Sequence, residues 1–121
     1  MERHCVLVSG PTVASDDKLI CELQKNVFTL TNTDNNRIES ILMERKVDLI
    51  LIEISHGSDS EVEIIKKIKS LYPGVQIILI NGNGDRELIA RAYAYGAKDA
   101  FRMTYKTPLI VEMVKAIVRK L

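Results

Sequence analysis

Leu49-Ile50-Leu51-Ile52-Glu53-Ile54 is a run of five large aliphatic residues interrupted once, by a carboxylate. A segment this short and this continuously apolar reads as a strand covered on both faces, the environment that parallel sheets create. Cys5–Val8 and Val75–Ile80 have the same character, and the weaker Val27–Thr31 and Asp99–Met103 complete five strands. Between and after them apolar residues recur at helical spacing: Leu19, Ile20 and Leu23; Ile38, Ile41 and Leu42; Ile64, Ile65, Ile68 and Leu71; Leu88, Ala92 and Tyr95; Ile110, Val114, Ile117 and Leu121. Five amphipathic helices thus alternate with five strands, and every crossover must be right-handed. The pattern predicts a three-layer, doubly wound α/β domain, in which ligands or partners dock at the carboxyl ends of the strands.

Turn chemistry supports these divisions. Ser15 is placed to cap the first helix, with Asp16 and Asp17 in its positive first turn, and Asp34-Asn35-Asn36 opens the second. Pro73-Gly74 stops the third helix, and Gly96 follows the fourth where a left-handed residue is wanted. Thr107-Pro108 starts the fifth as cap and first-turn proline. No linker, repeat or low-complexity stretch interrupts the alternation.

The chain has 121 residues, 46% hydrophobic and 27% charged, which fits one globular domain over residues 1–121 and excludes a multidomain architecture. Cys5 and Cys21 lie outside any metal-ligand or redox spacing and read as buried free thiols. The apolar run near the N-terminus is broken by Ser9-Gly10-Pro11, far short of a signal peptide or membrane span, so a cytoplasmic protein is expected. Net charge is +1, but residues 1–85 carry nine basic and thirteen acidic groups, whereas residues 86–121 carry eight and three. The C-terminal third is therefore suited to an acidic partner.

Asp85-Arg86-Glu87-Leu88-Ile89-Ala90-Arg91-Ala92-Tyr93-Ala94-Tyr95-Gly96-Ala97-Lys98-Asp99-Ala100-Phe101 resembles the fourth helix, Gly-Ala turn and fifth strand of the receiver domains of two-component response regulators. Asp48-Leu49-Ile50-Leu51-Ile52-Glu53 similarly resembles the family's third strand, which ends at the phosphoacceptor. The likeness runs over nearly the whole chain. It implies a flavodoxin-like (βα)5 fold with a parallel sheet in the order 2-1-3-4-5.

It also identifies departures. The family's acidic pair after strand one supplies oxygen ligands for Mg²⁺, and the matching residues here are Ser9 and Gly10. Glu53 stands at the phosphoacceptor aspartate, one methylene longer, where a displacement of about an ångström can cost roughly a hundredfold in rate. The hydroxyl residue, the aromatic and the lysine that read the phosphorylated state correspond to Asn81, Ala100 and Met103. Loss of the lysine removes a charge-assisted hydrogen bond worth roughly 1.5 to 3 kcal/mol. Thr104 replaces the proline after it, so a trans bond is expected there. After strand three the family's Met-Pro and later Gly become His56, Gly57 and Glu61.

The remaining chemistry-bearing residues have competing readings. Asp16 and Asp17 are either the acidic pair displaced along the loop or simply helix-start acids, and capping is preferred. His56 is a potential acid, base or ligand with no second group at a telling spacing, so a solvated loop position is preferred, as for His4. Asn81-Gly82-Asn83-Gly84-Asp85 is either an anion nest or a turn capped by Asp85, and the carboxylate favours the turn. Arg91, Tyr93, Tyr95, Lys98, Arg102 and Lys106 flank the face that receivers use for partners, with inward packing of Tyr95 as the alternative.

The resulting expectation is a degenerate receiver, a pseudo-receiver in phosphorelay signalling that binds a protein partner or a second copy through its fourth helix, fifth strand and fifth helix. It is expected not to be an enzyme, to hold no metal or cofactor, and to bind Mg²⁺ weakly if at all. Nucleic-acid binding by this chain alone is not expected, because the positive stripe is short and no DNA-binding helix pair is visible. Two rivals remain: a phosphorylation-competent receiver using Glu53 with displaced acids, and a small-ligand sensor whose altered pocket is bounded by Ser9, Glu53, Asn81 and Met103. The sequence stops at the end of the last helix, so no output domain is expected within it.

Overall fold

The computed structural model describes residues 3–55, 59–81 and 85–121. His56, Gly57 and the Gly82-Asn83-Gly84 stretch read as a turn or an anion nest lie outside them. Strand β1 (Cys5–Ser9), helix α1 (Asp17–Gln24), β2 (Phe28–Asn32), α2 (Ile38–Glu44), β3 (Leu49–Ile54), α3 (Asp59–Leu71), β4 (Gln76–Asn81), α4 (Arg86–Ala94), β5 (Asp99–Arg102) and α5 (Thr107–Arg119) follow one another in strict alternation. The strands form one parallel sheet in the order β2-β1-β3-β4-β5. This is the expected doubly wound fold.

The sheet separates two apolar layers by the period-two alternation of its side chains. Leu7, Ile50, Ile52, Ile77 and Leu79 pack beneath α2, α3 and α4. Val6, Val8, Leu49, Leu51, Ile78 and Ile80 pack beneath α1 and α5. With both faces covered, β1 and β3 are buried along their whole length, whereas the edge strands β2 and β5 are partly exposed. Glu53 shares parity with Leu49 and Leu51. Its side chain therefore leaves the sheet on the α1–α5 side.

Several expected boundaries shift for one reason: the ladder continues into polar residues that an apolar run cannot announce. Ser9 pairs with Asn32, and Asn81 with both Ile54 and Arg102, so β1, β2 and β4 each end one residue later than expected. β5 ends at Arg102 rather than Met103, although the Met103 amide still donates to the Asn81 carbonyl at 3.1 Å.

Two caps also differ. Ser15 lies in a 3-10 turn, Val13–Ser15, and its hydroxyl donates to the Pro11 carbonyl at 3.0 Å. Asp16 caps α1 instead, accepting from the Leu19 amide at 3.2 Å. Thr107 is the first helical residue of α5 and Lys106 precedes it as N-cap, because the Thr107 side chain is buried against the core. Cys5 is buried as expected, but Cys21 is exposed, since Leu19 and Leu23 occupy the inward face of α1. Gly96 takes the anticipated positive φ, +113°. The bond between Met103 and Thr104 is trans.

Candidate functional site

The carboxyl ends of β1 and β3 meet where the fold places its ligand crevice, and Glu53 occupies that crevice itself. Its side chain is 2% exposed. Oε1 accepts hydrogen bonds from the backbone amides of Thr12 and Val13, both at 2.8 Å. Oε2 accepts from the Ser55 hydroxyl at 3.2 Å. The carboxylate is thus turned into the loop between β1 and α1 and ties that loop to the end of β3.

Gly10 makes this possible. Its φ is +136°, a region that side-chain-bearing residues rarely adopt, and a Cβ there would lie 2.3 Å from Glu53 Cβ and 2.6 Å from Oε1. The place that resemblance assigns to the second metal-binding acid is therefore filled by the glutamate. Its partner position, Ser9, is fully buried and donates to Asn35 Oδ1 at 2.7 Å while accepting from Asn32 Nδ2 at 2.9 Å. Asn35 in turn donates through Nδ2 to the Glu53 carbonyl at 2.8 Å. An amide network closes the crevice from the β2 side.

These residues do not fit a resident Mg²⁺. Such an ion needs an octahedron of oxygen ligands anchored by one or two carboxylates. Gly10 offers no side-chain oxygen, that of Ser9 is held between two asparagines, and one oxygen of Glu53 already takes two N–H donors. Among the described residues no three Asp, Glu, His or Cys side chains converge as a metal site. Asp16, the candidate for a displaced acid, is also engaged through both oxygens, one capping α1 and the other accepting from the Tyr105 hydroxyl.

On the opposite wall, Asn81 is fully buried and its Nδ2 donates to the Asp85 carbonyl at 3.3 Å. Ala100 packs into the layer under α2–α4, and Met103 into the layer under α1 and α5. Neither brings a cation or an aromatic ring to the crevice. Asp85 caps α4 through the Glu87 and Leu88 amides, as expected. A cavity of about 300 Å³ adjoins Glu53 and is lined also by Pro11, Asp34, Asn35, Ser55 and Glu61. Of the four residues expected to bound an altered pocket, only Glu53 lines it.

The anticipated partner residues lie on several surfaces. Tyr93 is 45% exposed and donates its hydroxyl to Asp99 Oδ1 at 3.1 Å; burial and that bond to a carboxylate push the phenol's pKa up. Lys98, Arg102 and Lys106 are exposed and Arg91 is half-buried. Tyr95 turns toward α3, packed on the core with the Lys66 ammonium 5.6 Å from its ring centre.

Three features of the site escape sequence reading: the bond from Glu53 to the loop amides, the Asn35 bridge, and the Tyr105–Asp16 link. The first had a usable signal, a glycine just after β1 opposite a long carboxylate in the penultimate position of β3. The other two join residues far apart in sequence with no characteristic spacing.

No protein-family profile and no curated protein matches the chain. Its fold, however, is shared with many solved structures. A CheY-like receiver domain from Methanospirillum hungatei superposes with a TM-score of 0.87 at 16% identity, covering 98% of this chain and 96% of the other. An orphan response regulator of H. pylori gives 0.84 at 16% identity, with 95% and 96% covered. An atypical orphan response regulator, described as having a phosphorylation-independent regulatory mechanism, gives 0.81 at 17% identity, with 95% of each chain covered. The chain has the receiver-domain fold of response regulators, and at its strand ends a carboxylate is bonded inward to the chain's own backbone.

Proposed function

We propose that this chain is a receiver-type signalling module that works without phosphotransfer and acts by binding another protein or a second copy of itself. It is a binding domain rather than an enzyme, works in the cytoplasm and needs no Mg²⁺. The observation that carries this reading is the engagement of Glu53: a nucleophilic carboxylate must approach an incoming phosphorus in line, and this one is held against two backbone amides. No lysine stands at Met103 to stabilise a transferred phosphoryl group, and no aromatic at Ala100 to report one.

The partner face consists of α4, β5 and α5, where Tyr93 and Leu109 are the exposed large side chains. An exposed tyrosine such as Tyr93 is typical of interface centres. The similarity in fold to an atypical regulator with a phosphorylation-independent mechanism is consistent with this assignment. The test is incubation with Mg²⁺ and acetyl phosphate, followed by intact-mass measurement. An unchanged mass is expected. A phosphoryl adduct that disappears in Glu53→Gln would instead establish the phosphorylation-competent alternative.

A further inference from the structure

The two edges of the sheet are built differently. β5 is four residues long and carries Asp99 and Arg102 at its ends, the short and charged form that discourages an edge from pairing. β2, at the other edge, lies within residues 26–33, which include no charged residue, proline or glycine. Val27, Phe28, Thr29 and Thr31 are also strand formers. None of the usual devices that blunt an edge is present in this one.

The backbone shows which groups this edge offers. The Phe28 amide donates to the His4 carbonyl at 2.9 Å, and the Asn32 carbonyl accepts from the Gly10 amide at 2.8 Å. Phe28, Leu30 and Asn32 thus bond toward β1, and alternation turns the amides and carbonyls of Thr29 and Thr31 outward. Val27 has the same parity but is already satisfied: its amide donates to the Leu23 carbonyl at 3.0 Å, and its carbonyl accepts from the Thr29 hydroxyl at 3.3 Å. The open stretch is therefore centred on Leu30. Its two ends differ in charge. At the amino end the exposed Arg45 guanidinium lies 5.5 Å from the centre of the Phe28 ring, itself 46% exposed, and has no carboxylate partner among the described residues. At the carboxyl end stands Asp34, also exposed, with its carbonyl held by Asn32 Nδ2 at 2.6 Å.

The geometry points to β2 as a dimerisation edge, where a second copy of this chain adds its own β2 antiparallel about a two-fold axis at Leu30. In that register Thr29 of each copy faces Thr31 of the other, and every outward amide finds an outward carbonyl. Phe28 and Arg45 of one copy come beside Asn32 and Asp34 of the other, so unlike charges meet at both ends. No like charges oppose one another along the strand, because it carries none. An isologous contact requires a self-complementary surface, and an uncharged strand with opposite signs at its ends is one. Parallel addition in register would instead set like ends together, and its bonding is slightly weaker per residue. The edge lies across the sheet from β5, so this pairing is separate from the partner face on α4, β5 and α5 and from the question of phosphotransfer.

The test is sedimentation of the whole chain from micromolar to millimolar concentration, with amide hydrogen exchange measured at both limits. The mass of two chains is expected at the upper limit, with exchange at the Thr29 and Thr31 amides slowed by about tenfold or more relative to the lower. Thr31→Lys, a change at an exposed site, should weaken dimerisation by about tenfold or more. The double variant Thr29→Lys with Thr31→Lys opposes like charges across the axis and should be monomeric. Thr29→Lys with Thr31→Glu opposes unlike charges and should restore the dimer. A mass of one chain throughout, a dimer indifferent to Thr31→Lys, or equal dimerisation of the two folded double variants would each overturn the inference. Slowed exchange confined to α4, β5 and α5 would also overturn it and assign self-association to the proposed partner face.

Discussion

Glu53 differs from an aspartate by one methylene, and that methylene decides what the carboxylate touches. The longer side chain reaches the Thr12 and Val13 amides, both of which donate to its Oε1. Removing one partner of a buried, charge-assisted interaction leaves the other unsatisfied, so Glu53→Ala should destabilise the domain by about 2 to 4 kcal/mol in urea unfolding. Glu53→Gln keeps an acceptor oxygen but loses the charge, and should cost about half as much. Glu53→Asp, which restores the receiver's phosphoacceptor residue type, is expected to lower stability without producing a phosphoryl adduct. Gly10→Ala combines a positive φ with a Cβ placed 2.3 Å from Glu53, and should cost about 2 kcal/mol or more by the same measurement. The sequence identified both residues as departures from the receiver pattern, because each sits at a strand end that the apolar runs locate. Their mutual packing was not legible, since it depends on a side-chain direction that strand parity sets and on a backbone angle that no local pattern announces.

At the scale of elements, the loop that Glu53 holds leads directly into the 3-10 turn and then to Asp16, whose second oxygen takes the Tyr105 hydroxyl from the loop before α5. Two chain segments 89 residues apart are thereby joined beside the α1–α5 contact. Burial first, then the bond to Asp16, pushes the Tyr105 phenol well above its ordinary value of 10.0. A group whose pKa is raised on folding stabilises the protein fully below its unfolded value, and that contribution is lost as pH rises through the folded value. Cys5, raised above 9.0 chiefly by burial and next by Asp48, with Arg45 opposing, acts in the same direction. Unfolding free energy should therefore fall as pH climbs past about 9 to 10, and Tyr105→Phe should flatten the part of that fall above pH 10. A decline equally steep in the variant would remove Tyr105 as its cause. Helix and strand positions were readable because burial on one or two faces imposes a period on the sequence. The Ser15 and Thr107 caps each shift by one residue: at α1 the Asp16 carboxylate takes the cap, and at α5 burial of the Thr107 side chain leaves Lys106 as an N-cap with no side-chain bond.

Across the whole molecule, strand alternation was enough to specify a doubly wound sheet, and the resemblance supplied its order. Physical reading alone could not give that order, since any right-handed set of crossovers satisfies the same local pattern. The function is less legible for a related reason: a shared fold hosts many chemistries, and the site decides among them. Here one oxygen of the carboxylate at the strand ends is bonded to the chain's own backbone amides, beside a cavity of about 300 Å³. On the proposed reading, added Mg²⁺ finds no site in the folded state and should move Tm by less than about 1 °C. Among the described residues no helix is long and apolar enough to cross a membrane.

The most direct measurement is the amide NMR spectrum of the chain titrated with magnesium and beryllium fluoride, read at Thr12, Val13, Asn81 and Met103. With Glu53 bonded inward, these four resonances should stay where they are at saturating reagent. A concerted shift of all four, abolished by Glu53→Gln, would show that the crevice opens to accept a phosphoryl mimic and that Glu53 is its acceptor.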